Sequence, residues 1–111
     1  MGTIFGQIID GKIPAEKVFE NERLIAIKDI NPAAPVHLLI IPKKEIPTLQ
    51  QATKEDLELL PEIFALAQQL AEKFGVADGY RLLVNSGAEA GQTVFHLHFH
   101  LIGGRRLGAM A

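Results

Sequence analysis

The spacing of apolar residues along the chain predicts two helices. Thr3 to Asp10 carries apolar residues at the period of a short amphipathic helix, and Gly11 offers a stop. A capping-box sequence at Thr53 predicts the start of a longer helix, and Gly75 ends that helix. Its apolar positions are Leu57, Leu60, Phe64, Ala67, Leu70, Ala71 and Phe74. Pro61 lies inside this pattern, so we expect a kink or a late helix start there.

Five shorter segments have the pattern of β-strands. They are Lys17 to Phe19, Leu24 to Ile27, Val36 to Ile41, Tyr80 to Val84 and Val94 to Ile102. The third is an apolar run, interrupted only by His37 and closed by Pro42, which is typical of a strand buried on both faces. Short turns between neighbouring strands favour antiparallel pairing. We therefore predict an α+β fold with a roughly five-stranded, mostly antiparallel sheet, one long helix and a short N-terminal helix.

Composition narrows the class of protein. A chain of 111 residues, 48% hydrophobic and 22% charged, is expected to form a single folded domain over residues 1–111. The net charge of −2 gives no reason to expect a nucleic acid or a membrane as partner. With no cysteine, disulfide and thiolate metal sites are excluded. No signal peptide pattern opens the chain, so we predict a cytoplasmic protein.

Three of the four histidines alternate along the last predicted strand. Because successive strand residues point to opposite faces, His96, His98 and His100 are expected to share one face. The opposite, core-facing side would carry Phe95, Leu97, Phe99 and Leu101. Imidazole titrates near neutrality, so three of them in a row are a poor choice for solubility alone. The pattern therefore indicates chemistry on this strand.

A metal site is one interpretation of the triad. At roughly 3.3 Å per residue, the backbones of His96 and His100 lie about 13 Å apart, too far for three imidazoles to share one ion easily. The strand also lacks any Cys, Asp or Glu that would complete a ligand set. We predict no designed metal site and no required cofactor, with zinc capture only as an accident.

Nucleophilic catalysis fits the same residues better. Neutral imidazole attacks phosphorus, and covalent capture splits one difficult displacement into two easier steps. The neighbouring histidines would supply hydrogen-bond donors to a phosphate. Gly91, Gln92 and Thr93 precede the triad, and they can bring backbone amides and a hydroxyl near the same oxygens.

With this triad the chain resembles the histidine-triad superfamily, whose signature is His-x-His-x-His followed by apolar residues. The following Gly103-Gly104-Arg105 resembles the Hint branch, the purine nucleoside phosphoramidases, more than the dinucleoside polyphosphate hydrolases of the Fhit branch. The resemblance covers Thr3 to about Leu107. It includes Ile13-Pro14-Ala15, Asp29-Ile30-Asn31-Pro32, Ile40-Ile41-Pro42-Lys43-Lys44, Gly79-Tyr80-Arg81 and Val84-Asn85.

The resemblance implies a role for each of the four histidines. His98 would be the nucleophile and His100 would contact the phosphate. His96 and His37 would form a supporting proton network. Taken alone, His37 in its apolar strand fits a hydrogen-bonded core histidine better than a catalytic one.

The resemblance also implies a nucleotide site. Asp29, with Ile30 beside it, would accept hydrogen bonds from the ribose hydroxyls, although its place before a loop also fits a turn residue. Asn85 and Thr93 would touch the phosphate or the leaving group. The walls of the purine pocket would include Ile4, Phe5, Ile8, Ile13 and Ile27. For Ile8 and Ile27 the pattern fits a core position equally well.

The implied activity is hydrolysis of a nucleoside 5′-monophosphate joined to an amine or similar leaving group, giving AMP or GMP without an obligatory metal. The implied assembly is a homodimer built from the long helix and the strand from Tyr80 to Asn85. Two alternatives stay open: a module that binds purine nucleotides without turnover, and zinc storage or a zinc-dependent enzyme. The chain departs from its Hint relatives at the C-terminus. It ends Arg105 to Ala111 where they carry a Trp-Pro-Pro type tail, which leaves the leaving-group preference open.

Overall fold

The computed structural model describes residues 2–111, which form one five-stranded sheet with helices on both faces. The elements are α1 (Ile4–Ile9), β1 (Lys17–Glu20), β2 (Leu24–Lys28), β3 (Val36–Pro42), α2 (Lys54–Leu57), α3 (Leu60–Lys73), β4 (Tyr80–Val84) and β5 (Phe99–Gly103). The strand order is β1-β2-β3-β5-β4, and every neighbouring pair is antiparallel. The predicted α+β fold is confirmed. No helix in the described range is both long and apolar enough to cross a bilayer.

Polar caps and one proline set the helix boundaries. The Thr3 side chain accepts a hydrogen bond from the Gly6 amide and begins α1. Thr53 and Asp56 form a reciprocal capping box at the start of α2. Pro61 occupies the first turn of α3, where its missing N–H costs no hydrogen bond. The late helix start expected there is therefore observed, as a break between α2 and α3.

Strand β3 separates two apolar clusters, one on each face of the sheet. Leu38 and Ile40 pack toward α3, whereas Leu39 and Ile41 pack toward α1. All four are buried, so the prediction of a strand covered on both faces is confirmed. The α1 side matters for function, because it carries the imidazoles of the histidine strand.

Strand β5 is shorter than predicted. It covers Phe99–Gly103 rather than Val94 to Ile102, and its pairing with β3 starts at Ile40 opposite Phe99. Beyond that pair, Pro42 has no N–H to donate, and its carbonyl oxygen accepts from the His96 imidazole at 2.8 Å. At this point a hydrogen bond from the His96 side chain therefore replaces the backbone hydrogen bonds between the strands.

Because the strand pairing ends early, one residue that was predicted to lie in the core is exposed. Phe95 is 43% exposed, so the expectation that it faces the core is wrong. The other three predicted core residues of this segment, Leu97, Phe99 and Leu101, are buried in the cluster under α3.

Candidate active site

A cavity of about 330 Å³ lies where α1 packs against the sheet beside the histidine strand. Ten of the residues nominated from the sequence line it: Ile4, Phe5, Ile8, Ile13, Ile27, Asp29, Ile30, Thr93, His98 and His100. Leu39 also lines it and was missed, although it lies directly opposite His100 in the β3–β5 register. The cavity thus combines mostly apolar walls with two imidazoles and one carboxylate, the composition of a small-molecule site.

Five nominated residues do not line this cavity: His37, His96, Asn85, Gly91 and Gln92. Gln92 is 3% exposed, and its side chain is fully engaged elsewhere. Its Oε1 accepts from the Gly87 amide at 2.8 Å, and its Nε2 donates to the carbonyl oxygens of Pro47 at 2.7 Å and Val94 at 3.0 Å. Gln92 therefore fastens this loop to its neighbours.

The backbone amides of the same loop are also occupied. The Gly91 N–H donates to the Ala88 carbonyl at 3.0 Å, and the Gln92 N–H donates to the Gly87 carbonyl at 3.2 Å. Gly91 has φ +95°, which glycine adopts without strain, so it shapes the turn. The expectation that these two amides face a phosphate is therefore not met, and Thr93 is the residue of the trio at the cavity wall.

The His98 ring is fixed by a short backbone contact. Its Nδ1 lies 2.7 Å from the carbonyl oxygen of His96. A carbonyl can only accept, so Nδ1 carries the proton. The other nitrogen, Nε2, then keeps its lone pair, and His98 lines the cavity. Phe5 packs edge-on against this ring with centroids 4.9 Å apart, which restricts its orientation further.

The His37 and His100 rings have the opposite tautomer. The Ala33 amide donates to His37 Nδ1 at 3.0 Å, so the His37 proton lies on Nε2. That Nε2–H donates to His100 Nδ1 at 2.9 Å, which places the His100 proton on its own Nε2. One backbone amide therefore sets the tautomer of two histidines, and His100, which lines the cavity, has a donor to offer there.

His96 takes no part in that pair. It is fully buried, and its ring lies between Pro42 and Thr3, with Nε2 on the Pro42 carbonyl at 2.8 Å and Nδ1 on the Thr3 hydroxyl at 3.0 Å. The network expected between His96 and His37 is therefore not the one observed. His37 pairs with His100, and His96 reaches His98 through its backbone carbonyl only.

Burial keeps the two cavity imidazoles neutral. Desolvation lowers the pKa of His98 below its ordinary value of 6.5, against the opposing effect of the hydrogen bond to the His96 carbonyl. Desolvation, reinforced by His98 and His37, lowers the pKa of His100 to about 4. Both rings are therefore uncharged at neutral pH, the state that an imidazole nucleophile and a neutral donor require.

Asp29 belongs both to a turn and to the site. Its Oδ1 accepts from the Asn31 amide at 2.8 Å, which is the turn contact that the sequence suggested. Its Oδ2 lies 3.4 Å from His37 Nε2, and the residue lines the cavity. A carboxylate has further lone pairs beyond these contacts, so it can accept from a ligand hydroxyl.

Asp29, His37 and His100 together resemble a metal ligand set, since their ligand atoms lie within 4.8 Å of one another. The donor chemistry does not fit. The Ala33 amide holds the proton of His37 on Nε2, the very atom that would face the ion, so this atom has no lone pair to give. We therefore assign no metal to this group.

A second groove, of about 340 Å³, lies beside α2 and the end of β3. Two ion pairs lie along it, Arg23 with Glu62 at 2.9 Å and Lys44 with Asp56 at 2.6 Å. No histidine lines it. The two cavities have similar volumes, so volume does not identify the candidate active site. The side chains that line them favour the cavity beside the histidine strand.

Known proteins resemble this chain over nearly its whole length. The family model of the HIT domain matches residues 10–107. A HIT-like protein of Chlamydia pneumoniae is 62% identical over 109 residues, covering 98% of this chain and 99% of the relative. A solved HIT family hydrolase from Clostridium thermocellum is 49% identical with a TM-score of 0.93, covering 97% and 95% of the two chains. One from Legionella pneumophila is 46% identical with a TM-score of 0.91, covering 95% of each.

Proposed function

The chain belongs to the HIT domain family, and we propose that it is a nucleotide hydrolase in which His98 is the covalent nucleophile. One observation carries the proposal. Among the four histidines, His98 alone has its proton on Nδ1, directed at a carbonyl, and so keeps the Nε2 lone pair for a substrate. The substrates would be purine nucleoside 5′-phosphoramidates, with AMP or GMP released.

In the first step, His98 Nε2 attacks the α-phosphorus. A bond forms between Nε2 and phosphorus, the P–N bond to the leaving amine breaks, and the amine departs with a proton taken from solvent. The phosphorylated ring is a cation, and the His96 carbonyl 2.7 Å from Nδ1 stabilises that charge. His100 Nε2–H donates to a phosphate oxygen as negative charge develops there.

In the second step, water attacks the same phosphorus and the bond to Nε2 breaks. The products are the nucleoside monophosphate and neutral His98, which is ready for another turnover. No step uses a metal, because both activating groups are imidazoles of the chain itself. Asp29 would hold the ribose hydroxyls, and the apolar walls formed by Phe5, Ile8 and Ile27 would accept the purine ring.

Intact-protein mass spectrometry tests the covalent step. After brief mixing with adenosine 5′-phosphoramidate at low temperature, we expect a transient mass increase of one adenylyl group, followed by release of AMP. An adduct without release, or release without an adduct, would contradict the two-step mechanism. If AMP binds tightly by calorimetry while no phosphoramidate is consumed, the protein is a nucleotide-binding module instead.

The pH dependence of kcat/KM provides a second test. Protonation removes the attacking lone pair, so activity falls as pH drops through the pKa of His98. Burial lowers that pKa below 6.5, so the midpoint of the fall in kcat/KM is expected below pH 6.5. Below the pKa, kcat/KM should fall about tenfold per pH unit. A midpoint above pH 6.5 would contradict a buried, neutral nucleophile.

We also propose that the protein acts as a homodimer. Strand β4 forms one edge of the sheet, and all five of its residues are only half-buried. Phe64 of α3 and Phe95 are 50% and 43% exposed, which favours an apolar interface. Light scattering is expected to give twice the chain mass of 12.1 kDa, and Phe64→Glu is expected to give monomers. A wild-type mass of one chain at micromolar concentration would overturn this proposal.

A further inference from the structure

The hydroxyl of Thr3 joins the first helix to the histidine strand. Thr3 Oγ1 lies 3.0 Å from His96 Nδ1, across 93 residues of sequence. The same oxygen accepts from the Gly6 amide at 2.9 Å and caps α1. Thr3 therefore belongs at once to a helix terminus and to a fully buried imidazole.

The direction of each hydrogen bond in this contact is determined. The Pro42 carbonyl accepts from His96 Nε2, so the His96 proton lies on Nε2 and Nδ1 is a bare acceptor. Thr3 Oγ1 receives the Gly6 N–H on a lone pair and has its own O–H left to donate to Nδ1. Each group has the one partner it needs, and no buried side-chain nitrogen or oxygen among the described residues lacks a partner.

The contact connects the two halves of the candidate site. Helix α1 supplies three cavity walls, Ile4, Phe5 and Ile8, and Phe5 packs edge-on against the His98 ring. His96 supplies the carbonyl that orients His98. Since the Thr3 hydroxyl joins α1 to the His96 ring, it fixes the apolar wall relative to the nucleophile.

We propose that Thr3 is a positioning residue for nucleotide binding, acting through the His96 ring, and that His96 is a positioning residue rather than a catalytic one. His96 does not line the cavity and has no atom free for a substrate. The kinetic part of this proposal rests on the proposed hydrolase function. Loss of the hydroxyl frees α1 to move, which weakens the pocket for the base but leaves the His98–carbonyl contact intact.

Thr3→Val tests the proposal because it keeps the shape of the side chain and removes the hydroxyl. We expect KM for a purine phosphoramidate, and the Kd for AMP by calorimetry, to rise about tenfold, the effect of one lost buried hydrogen bond. The value of kcat is expected to change less than threefold. Thr3→Ser, which restores the hydroxyl, is expected to recover wild-type KM. An unchanged KM and Kd in Thr3→Val would overturn the proposal.

Two further variants separate the loss of the hydrogen bond between Thr3 and His96, which we call the latch, from the simple loss of a helix cap. Thr53→Val removes a cap of the same kind at α2, away from the cavity, and is expected to lower thermal stability without changing KM. His96→Gln places an amide N–H near Pro42 but no acceptor near Thr3, so it breaks the latch and keeps the α1 cap. If the latch is the cause, the Thr3→Val/His96→Gln double variant is no worse than the poorer single variant. Additive losses would contradict it.

A spectroscopic readout keeps this test independent of turnover. With only four histidines in the chain, ¹⁵N-histidine labelling gives a spectrum that single variants can assign. We expect a hydrogen-bonded His96 Nδ1 in wild type and a shift of that nitrogen toward the free value in Thr3→Val. An unchanged His96 signal overturns the latch. The expected shift in a protein without phosphoramidate turnover supports the latch while rejecting the hydrolase proposal.

Discussion

Replacing His98 by Ala is expected to lower kcat/KM for a purine phosphoramidate by about 10⁴- to 10⁶-fold, since removal of a covalent nucleophile costs up to about 10⁶ in turnover. No other imidazole can substitute for it. His96 Nδ1 and His37 Nδ1 accept from Thr3 and Ala33, and His100 Nδ1 accepts from His37. His98 Nε2 is the one free lone pair among them. Steady-state AMP release measures the loss, and the transient adduct should disappear with it.

Binding and chemical rescue provide the controls for this variant. The apolar walls and Asp29 remain in His98→Ala, so AMP is expected to bind within a fewfold of wild type by calorimetry. His98→Gly leaves space for a free imidazole beside Phe5, and added imidazole is expected to restore part of the AMP release. If His98→Ala turned over at more than a tenth of the wild-type rate, His98 would not be the nucleophile.

Much of the framework follows from rules that operate over a few residues. The apolar run of β3, interrupted only by His37, predicted burial on both faces. The structure divides it between Leu38 and Ile40 on one face and Leu39 and Ile41 on the other. The cap at Thr53 and the break at Pro61 are equally local. Such features could be predicted because each depends on near neighbours in sequence.

The start of β5 could not be predicted in this way. Alternation of apolar and imidazole residues continues back to position 95, so the pattern indicates a longer strand than the one formed. The ladder stops because His96 donates to the carbonyl of Pro42, 54 residues away in sequence. Neither residue indicates the contact alone, and Phe95 is consequently exposed rather than buried.

The site shows the same division. Alternation identified the triad, and ten nominated residues do line one cavity. The composition of the glycine-rich loop wrongly suggested that its amides bind phosphate. The amides of Gly91 and Gln92 donate to carbonyl oxygens within the turn instead. The proton positions on the four histidines were also beyond the sequence, since they depend on partners such as the Ala33 amide. Those partners distinguish His98, the proposed nucleophile, from its neighbours.

The second large effect is expected from His100→Ala, which should lower kcat by about 10²- to 10³-fold while KM changes little. His37 directs the proton of His100 to Nε2, and this donor would meet the phosphate oxygen as charge develops. Because the pKa of His100 is about 4, the donor is a neutral N–H throughout the working range. The ratio of wild-type to variant kcat is therefore expected to be constant between pH 6 and 8, as measured by AMP release.

Two matched variants test whether the donor, rather than the bulk of the ring, is responsible. His100→Gln places an amide N–H near the position of Nε2 and is expected to recover about tenfold of the lost kcat, as a weaker and less preorganised donor. His37→Leu removes the partner that holds His100 in one tautomer, so it should lose part of the same rate enhancement. Combined with His100→Ala, it should lose little more, because both changes act on one proton. A His100→Ala variant within threefold of wild-type kcat would show that the phosphate is stabilised elsewhere. Thr93, at the same cavity wall, would then be the next residue to replace.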